Sequence, residues 1–444
     1  MADKIFKRKI YSKMLQWKQS SQGKTALLIE GARRIGKSTI VETFAKHEYD
    51  TYLIIDFNRA SQNVKNLFDD LMDLDFLFLS LQAVYHVTLH SRKSVIIFDE
   101  VQQCPRARQA IKYLVQDGRY DYIETGSLLS IKKNTESITI PSEEERITMY
   151  PMDYEEFRWA MGDDATIPLL HRFWEQKHAL GAAHREAVRN LRLYMLVGGM
   201  PQAVNAYMVS NNLSEVDAVK RRILQLYEED LLKVDPSGRA AKMFASIPGQ
   251  LSRNASRYVV AAAVGKQESS KEIELVKALE DSKTVNVVYH TDDPQVGMAL
   301  TARDDKFKMY LSDTGLFVTL AFWDKDVTEN VIYSKLLADK LPANLGYIYV
   351  NLVAQMLVSS GNSLYYYTWP RDDSHYYEVD FLISRGAKIC PIEVKSSGYV
   401  AHKSLDVFSE KYSARIATRY LIYTKDLAND GETVLLPAYM TPFI

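Results

Sequence analysis

At 444 residues, 47% hydrophobic and 25% charged, with a net charge of −1, the chain has an ordinary globular composition and is too long for one core, so about three units are expected. Cys104 and Cys390 stand far apart in no metal or redox spacing, which excludes a disulfide framework or a zinc site and fits a reducing, cytoplasmic setting. The first residues lack the apolar core of a signal peptide, and apolar stretches such as Tyr258 to Val264 are too short to span a bilayer, so no membrane is expected.

The charge is unevenly spread. From Met1 to Lys37 basic residues far outnumber the acidic ones, Asp3 and Glu30, which suits either a nearby polyanion or a solvated amphipathic helix from Lys9 to Gln19. From about Gln22 to Pro151 short apolar runs alternate with helical patterns: Thr25 to Ile29, Tyr52 to Ile55, Val95 to Phe98, Tyr122 to Thr125 and Ile147 to Tyr150. That alternation predicts βαβ units, an α/β fold with a parallel sheet covered by helices on both faces. Ligands in such a fold sit at the carboxyl ends of strands.

The first run leads into Gly31-Ala32-Arg33-Arg34-Ile35-Gly36-Lys37-Ser38, the phosphate-loop pattern of Gly, four residues, Gly-Lys-Ser. A triphosphate is a compact polyanion, best held by successive backbone N–H groups in a loop that opens a helix. Gly31 and Gly36 permit close approach, Lys37 is placed to reach the β- and γ-phosphates, and Ser38 to offer its hydroxyl to Mg²⁺. Arg33, Arg34 and Thr39 are candidate contacts to the same ligand, ATP. Val95-Ile96-Ile97-Phe98 then forms a buried strand ending in Asp99-Glu100. Asp99 is expected to hold the Mg²⁺ water shell and Glu100 to act as general base; the alternative is a structural acidic pair. In Thr125-Gly126-Ser127, Ser127 sits either between Glu100 and the γ-phosphate or at a helix cap. Arg146 either meets the γ-phosphate or stays on the surface.

Those motifs, with Glu30 before the loop, Val101-Gln102 after the acidic pair and Tyr150-Pro151-Met152-Asp153-Tyr154-Glu155-Glu156-Phe157, resemble a bacterial and archaeal group of AAA-type P-loop ATPases. The likeness continues at Tyr194-Met195-Leu196-Val197-Gly198-Gly199-Met200-Pro201 and at Lys308-Met309-Tyr310-Leu311-Ser312-Asp313-Thr314-Gly315-Leu316, so it covers nearly the whole chain. It implies an ATPase domain over 1–165, a helical and winged-helix region over 166–335, and a restriction-endonuclease-like α/β domain over 336–444. It also implies self-association, as analogy to fold alone. Two departures stand out: Ala32 where the family often has proline, and Glu145 where a glycine usually precedes Arg146.

From Pro168 to about Asp235 the pattern is helical, broken at Gly198-Gly199-Met200-Pro201. Lys220-Arg221-Arg222 and Glu228-Glu229-Asp230 are read as charge pairing on a solvated face. For Phe244 to Val296 the resemblance implies a winged helix, with Lys271 to Leu279 as its second helix and Thr284 to Tyr289 as a wing strand. Acidic residues interleaved among its lysines favour protein docking over DNA.

The last part returns to strands. Glu378-Val379-Asp380-Phe381-Leu382-Ile383 and Lys388-Ile389-Cys390-Pro391-Ile392-Glu393-Val394-Lys395 form a hairpin turned at Arg385-Gly386. Glu393 and Lys395 share a face, and Asp380 stands on the neighbouring strand. Nucleases of the PD-(D/E)XK class hold Mg²⁺ with such residues: Asp380 and Glu393 as ligands, Lys395 stabilising charge. Ordinary sheet salt bridges are the alternative. Relatives often carry a carboxylate where this chain has Val350, which opens a further reading: a vestigial nuclease serving as a nucleotide-gated binding module for DNA or a protein.

Overall fold

Ala26–Glu30 is buried at every position, as a strand with neighbours on both sides and helices above and below must be. It is β1 of a computed structural model that describes residues 4–126, 141–253, 255–265, 269–324, 333, 337–338, 346–373, 375–396 and 401–444. The chain divides into two compact units, Met1–Tyr150 with Asp281–Lys283, and Pro151–Glu280 with Thr284–Ile444.

In the first unit β1, β2 (Thr51–Asp56), β3 (Ser94–Asp99), β4 (Asp121–Gly126) and β5 (Glu144–Thr148) form a parallel sheet in the order β2-β3-β4-β1-β5. The helices are α1 (Ile10–Ser21), α2 (Lys37–Glu48), α3 (Gln62–Asn66), α4 (Leu74–Tyr85) and α5 (Pro105–Asp117). Four predicted strands differ from the observed ones by about a residue; the fifth is displaced. Glu144–Thr148 pairs with Ala26–Glu30, so Met149 and Tyr150 lie beyond the strand rather than within it. One core cluster lies beneath β2, β3 and α5, with Phe57, Phe68 and Phe98 edge to face at centroid distances of 5.4 to 5.7 Å.

A charged group lies in this interior. Arg108 of α5 is 1% exposed and donates to both Glu144 oxygens at 3.1 Å, with Glu124 Oε2 at 3.9 Å from its Nε. Burial, and then the Glu144 carboxylate beside it, push the Glu124 carboxyl well above the usual range. A group whose pKa rises on folding favours the fold below the ordinary carboxylate range, and that contribution is lost as pH rises through the raised value. The advantage of Glu124→Gln over the unsubstituted chain should therefore grow as pH rises above the ordinary carboxylate range. Urea midpoints measure it, and a difference independent of pH would contradict the assignment. Arg108→Ala, which takes the buried guanidinium away from Glu144 and Glu124, should cost about 3–5 kcal/mol.

The second unit begins with α6 (Tyr154–Ala160), whose first turn carries a reciprocal cap: Asp153 Oδ1 accepts from Glu156 N at 2.9 Å, and Glu156 Oε2 from Asp153 N at 3.2 Å. There follow α7 (Thr166–Glu175), α8 (His184–Val197), α9 (Pro201–Ser210), α10 (Leu213–Val234), α11 (Arg239–Ser252), α12 (Val260–Val264), α13 (Ser269–Asp281), α14 (Thr314–Ala321), α15 (Gly346–Ser359) and α16 (Lys403–Tyr412). The strands are β6 (Val285–Thr291), β7 (Ala302–Leu311), β8 (Tyr365–Pro370), β9 (Tyr376–Arg385), β10 (Lys388–Val394), β11 (Arg419–Tyr423), β12 (Ala428–Asp430) and β13 (Thr433–Pro437). They form one sheet in the order β12-β13-β11-β10-β9-β8-β6-β7.

Two expectations change here. The boundary placed after residue 335 cuts that sheet, because β6 pairs in parallel with β8 through Tyr289 and Tyr365. Residues 285–289 of the expected wing strand lie in β6, which has β7 on one side and β8 on the other. Lys220 is not on a solvated face. It is 0% exposed and donates to the carbonyls of Leu196 (2.6 Å) and Gly315 (3.2 Å). Around it the glycine motifs meet: a Cβ on Gly199 would stand 2.0 Å from the Met152 oxygen, and one on Gly315 would stand 2.5 Å from Gly198 Cα. Asp313 closes this crossing, accepting from Gly199 N at 2.5 Å and Leu316 N at 2.8 Å. These motifs build the unit's interior.

Candidate functional site

The turn from β1 to α2 is the phosphate loop. Gly36 precedes α2 with φ 94°, and Arg34 at the loop's tip has φ 70°, both left-handed. Gly31 cannot carry a side chain: a Cβ there would stand 2.4 Å from the Met149 oxygen and 2.6 Å from Ile35 Cδ1. The Lys37 ammonium turns back on the loop, donating to the carbonyls of Gly31 (3.0 Å) and Ala32 (2.9 Å). Burial lowers its pKa from the usual lysine value to about 8, an effect that Glu100 and Asp99 partly offset. Arg33 is half-buried on the loop; Arg34, Ser38 and Thr39 are exposed.

The acidic pair arrives from the next strand but one. Ser38 Oγ donates to Asp99 Oδ1 at 2.8 Å, and the Thr125 hydroxyl donates to the same oxygen. Glu100 N in turn donates to Thr125 Oγ1 at 3.3 Å, so one threonine fixes both members of the pair. Glu100 itself is left-handed, with φ 54° and ψ 48°, a strain of about 1–2 kcal/mol for a non-glycine residue. Gln102 Nε2 holds its Oε2 at 2.5 Å. The donor set suits a polyanion with a hard cation: an ammonium beside the loop, and a hydroxyl and a carboxylate converging where a hydrated ion would be held.

Lys37, Ser38, Asp99 and Glu100 thus come together as read from the sequence, and Thr125 joins them unannounced. The role proposed for a small polar residue after β4 fell on Ser127, which lies outside the described residues; Thr125 stands in the same tripeptide, at the strand's carboxyl end. Arg146 is not brought to the loop. It pairs with Leu28 in the body of β5 and its Nε donates to Glu144 Oε1 at 2.7 Å, toward the strand's amino end. A strand presents ligand contacts from its carboxyl end, so the γ-phosphate alternative for Arg146 gives way to the surface one.

Residues 23–158 match the family model described as an AAA domain. This segment is similar to AAA domains, and its loop carries the P-loop pattern. Downstream of that match, residues 188–327 match a domain of unknown function, DUF8612, and residues 345–439 another, DUF4143. Among solved structures the chain is similar to the Walker-type ATPase PABY2304 of Pyrococcus abyssi, at 15% identity and a TM-score of 0.41, over 71% of this chain and 96% of that one. It is also similar to the RuvB Holliday junction branch migration motor of Thermotoga maritima, at 11% identity and a TM-score of 0.30, over 65% of this chain and 90% of that one. No curated protein matches. Among the described residues no helix is long and apolar enough to cross a membrane.

The second unit has a pocket of its own, about 780 Å³, floored by the sheet. Ile392 lies opposite Phe381, which sets Glu393 beside Asp380, and Val394 N donates to Asp380 Oδ2 at 2.8 Å. Lys395 Nζ stands 2.5 Å from Glu393 Oε1. Two further residues line this pocket that the sequence reading did not select: Glu378, on the same face of β9 as Asp380, and Lys308 of β7, its Nζ 2.5 Å from Glu378 Oε1. The two-residue spacing from Asp380 would have revealed Glu378. Lys308 comes from a strand 70 residues away, which no local pattern could have indicated. Burial raises the carboxyls of both Glu378 and Glu393, against the pull of the neighbouring lysines. Val350 lines the wall, and among the described residues no three of His, Cys, Asp and Glu converge to hold a metal ion.

Proposed function

We propose that the protein binds ATP with Mg²⁺ at its phosphate loop, hydrolyses it, and passes the change of nucleotide state to the C-terminal region. The observation that carries this reading is the convergence of Lys37, Ser38, Asp99 and Glu100 on one point, with Thr125 holding the acidic pair. Mg²⁺, when bound, neutralises charge on the β- and γ-phosphates. Ser38 and Asp99 would hold it. The loop amides and Lys37 would bind the phosphates, Arg33, Arg34 and Thr39 flank them, and Glu100 would take a proton from the attacking water once released from Gln102. Phosphate release from ATP by the purified chain, with and without divalent cation, tests the reading. No release in either condition, with no ATP bound, rejects it.

A second reading concerns the pocket of the second unit: metal-dependent hydrolysis of a phosphodiester in DNA or RNA, switched by the nucleotide. It rests on Asp380, Glu393 and Lys395 meeting there with Glu393 Oε2 buried and without a hydrogen-bond partner, an oxygen suited to a cation. Asp380 and Glu393 would hold the ion and Lys395 would stabilise developing charge. Against it stands the apolar Val350 on the pocket wall, and the alternative is a binding module for nucleic acid or protein. Nicking of plasmid DNA that requires Mg²⁺ and disappears in Lys395→Ala is the expected result of the catalytic version. If no DNA or RNA is cut under any metal or nucleotide condition, the pocket binds and does not cleave.

A further inference from the structure

The phosphate loop is held from behind by a residue far from its own motif. Arg8, two residues before α1 and only 7% exposed, donates from Nη1 to the Ile35 carbonyl at 2.8 Å and from Nη2 to the Tyr150 carbonyl at 2.7 Å. A buried guanidinium is costly unless its donors are used in fixed directions, and here the planar fork spans two backbone segments. One is the tip of the loop. The other follows β5, where Met149 N donates to the Glu30 carbonyl at 2.8 Å, Thr148 Oγ1 to Glu30 Oε1 at 3.0 Å, and the Met149 oxygen faces Gly31.

The Ile35 carbonyl belongs to the same peptide group as the Gly36 N–H, and in a trans peptide the two point in opposite directions. Drawing the carbonyl outward to Arg8 therefore turns the Gly36 N–H inward, toward the space a phosphate would fill. A charged donor on the carbonyl also polarises the peptide and makes its N–H a stronger donor. We propose that Arg8 is a positioning residue for the phosphates: it fixes the Ile35–Gly36 peptide and clamps the loop to the segment after β5, so that the amides are aligned before the nucleotide arrives. This rests on the ATP-binding reading.

Arg8→Met keeps the length and the packing and removes the donors; Arg8→Lys keeps the charge but replaces the planar fork by a single ammonium. The expected result is that Arg8→Met weakens binding of both ATP and inorganic tripolyphosphate about tenfold, the scale of one charge-assisted hydrogen bond, and that Arg8→Lys recovers part of the loss. Affinities are taken from the folded chain, with urea midpoints recorded in parallel. If Arg8→Met lowers the midpoint but leaves both affinities unchanged, Arg8 serves stability alone and the inference is overturned while ATP binding stands. Equal loss in both variants also overturns it, since a lysine then restores nothing. A wild-type chain that binds neither ligand removes this inference and the reading beneath it together.

Discussion

Lys37→Ala is expected to weaken ATP binding by roughly 10²–10³-fold, the loss of about two charge-assisted hydrogen bonds to the phosphates. That ammonium caps the carbonyls of Gly31 and Ala32, and burial lowers its pKa to about 8. A triphosphate supplies negative charge at close range and favours the charged form. ATP binding just above pH 8 should therefore take up a proton, whereas near pH 6, where Lys37 is already charged, this uptake should vanish. Calorimetry in two buffers of different ionisation enthalpy measures the proton count directly. Affinity in Lys37→Ala equal to that of the wild type would refute the assignment of the loop.

The complementary substitution is Glu100→Gln. It should leave ATP affinity nearly unchanged and lower turnover by roughly 10²–10⁴-fold, the usual contribution of a positioned general base. Two features distinguish Glu100 from a merely structural acid. Its backbone is held in the left-handed region, which costs free energy and is retained where the placement of a side chain matters. Its carboxylate is tied to Gln102 across two residues. Gln102→Ala should thus alter turnover while leaving ATP affinity alone, and by less than Glu100→Gln does. Comparable loss of binding in Glu100→Gln would point to a role in holding the loop.

The nucleotide site was legible because its chemistry is local. The loop spells its own geometry in eight residues, and β3 announces itself by four apolar residues followed by two acids. Glu30 to Ser38 and Ser94 to Glu100 could be placed within about a residue. What failed was non-local. β5 slid by two to three positions because its register is set by pairing with β1 and not by its own apolar residues, and this moved Arg146 into the body of the strand. The solvated reading of Lys220 failed since helical charge spacing says nothing about carbonyls arriving from Leu196 and Gly315. The sheet of the second unit joins β6 to β8 across a long insertion, so the boundary expected after residue 335 fell inside it. Arg8 was seen as one of many N-terminal basic residues, and only the fold separates it from them.

The most direct test of the whole account is steady-state phosphate release from ATP by the full chain, run side by side for the wild type and Glu100→Gln with bound nucleotide measured in the same samples. The account predicts cation-dependent release by the wild type, its near-complete loss in the variant, and equal ATP occupancy in both. Equal release from the two proteins, or an empty loop in the wild type at millimolar ATP, would contradict it.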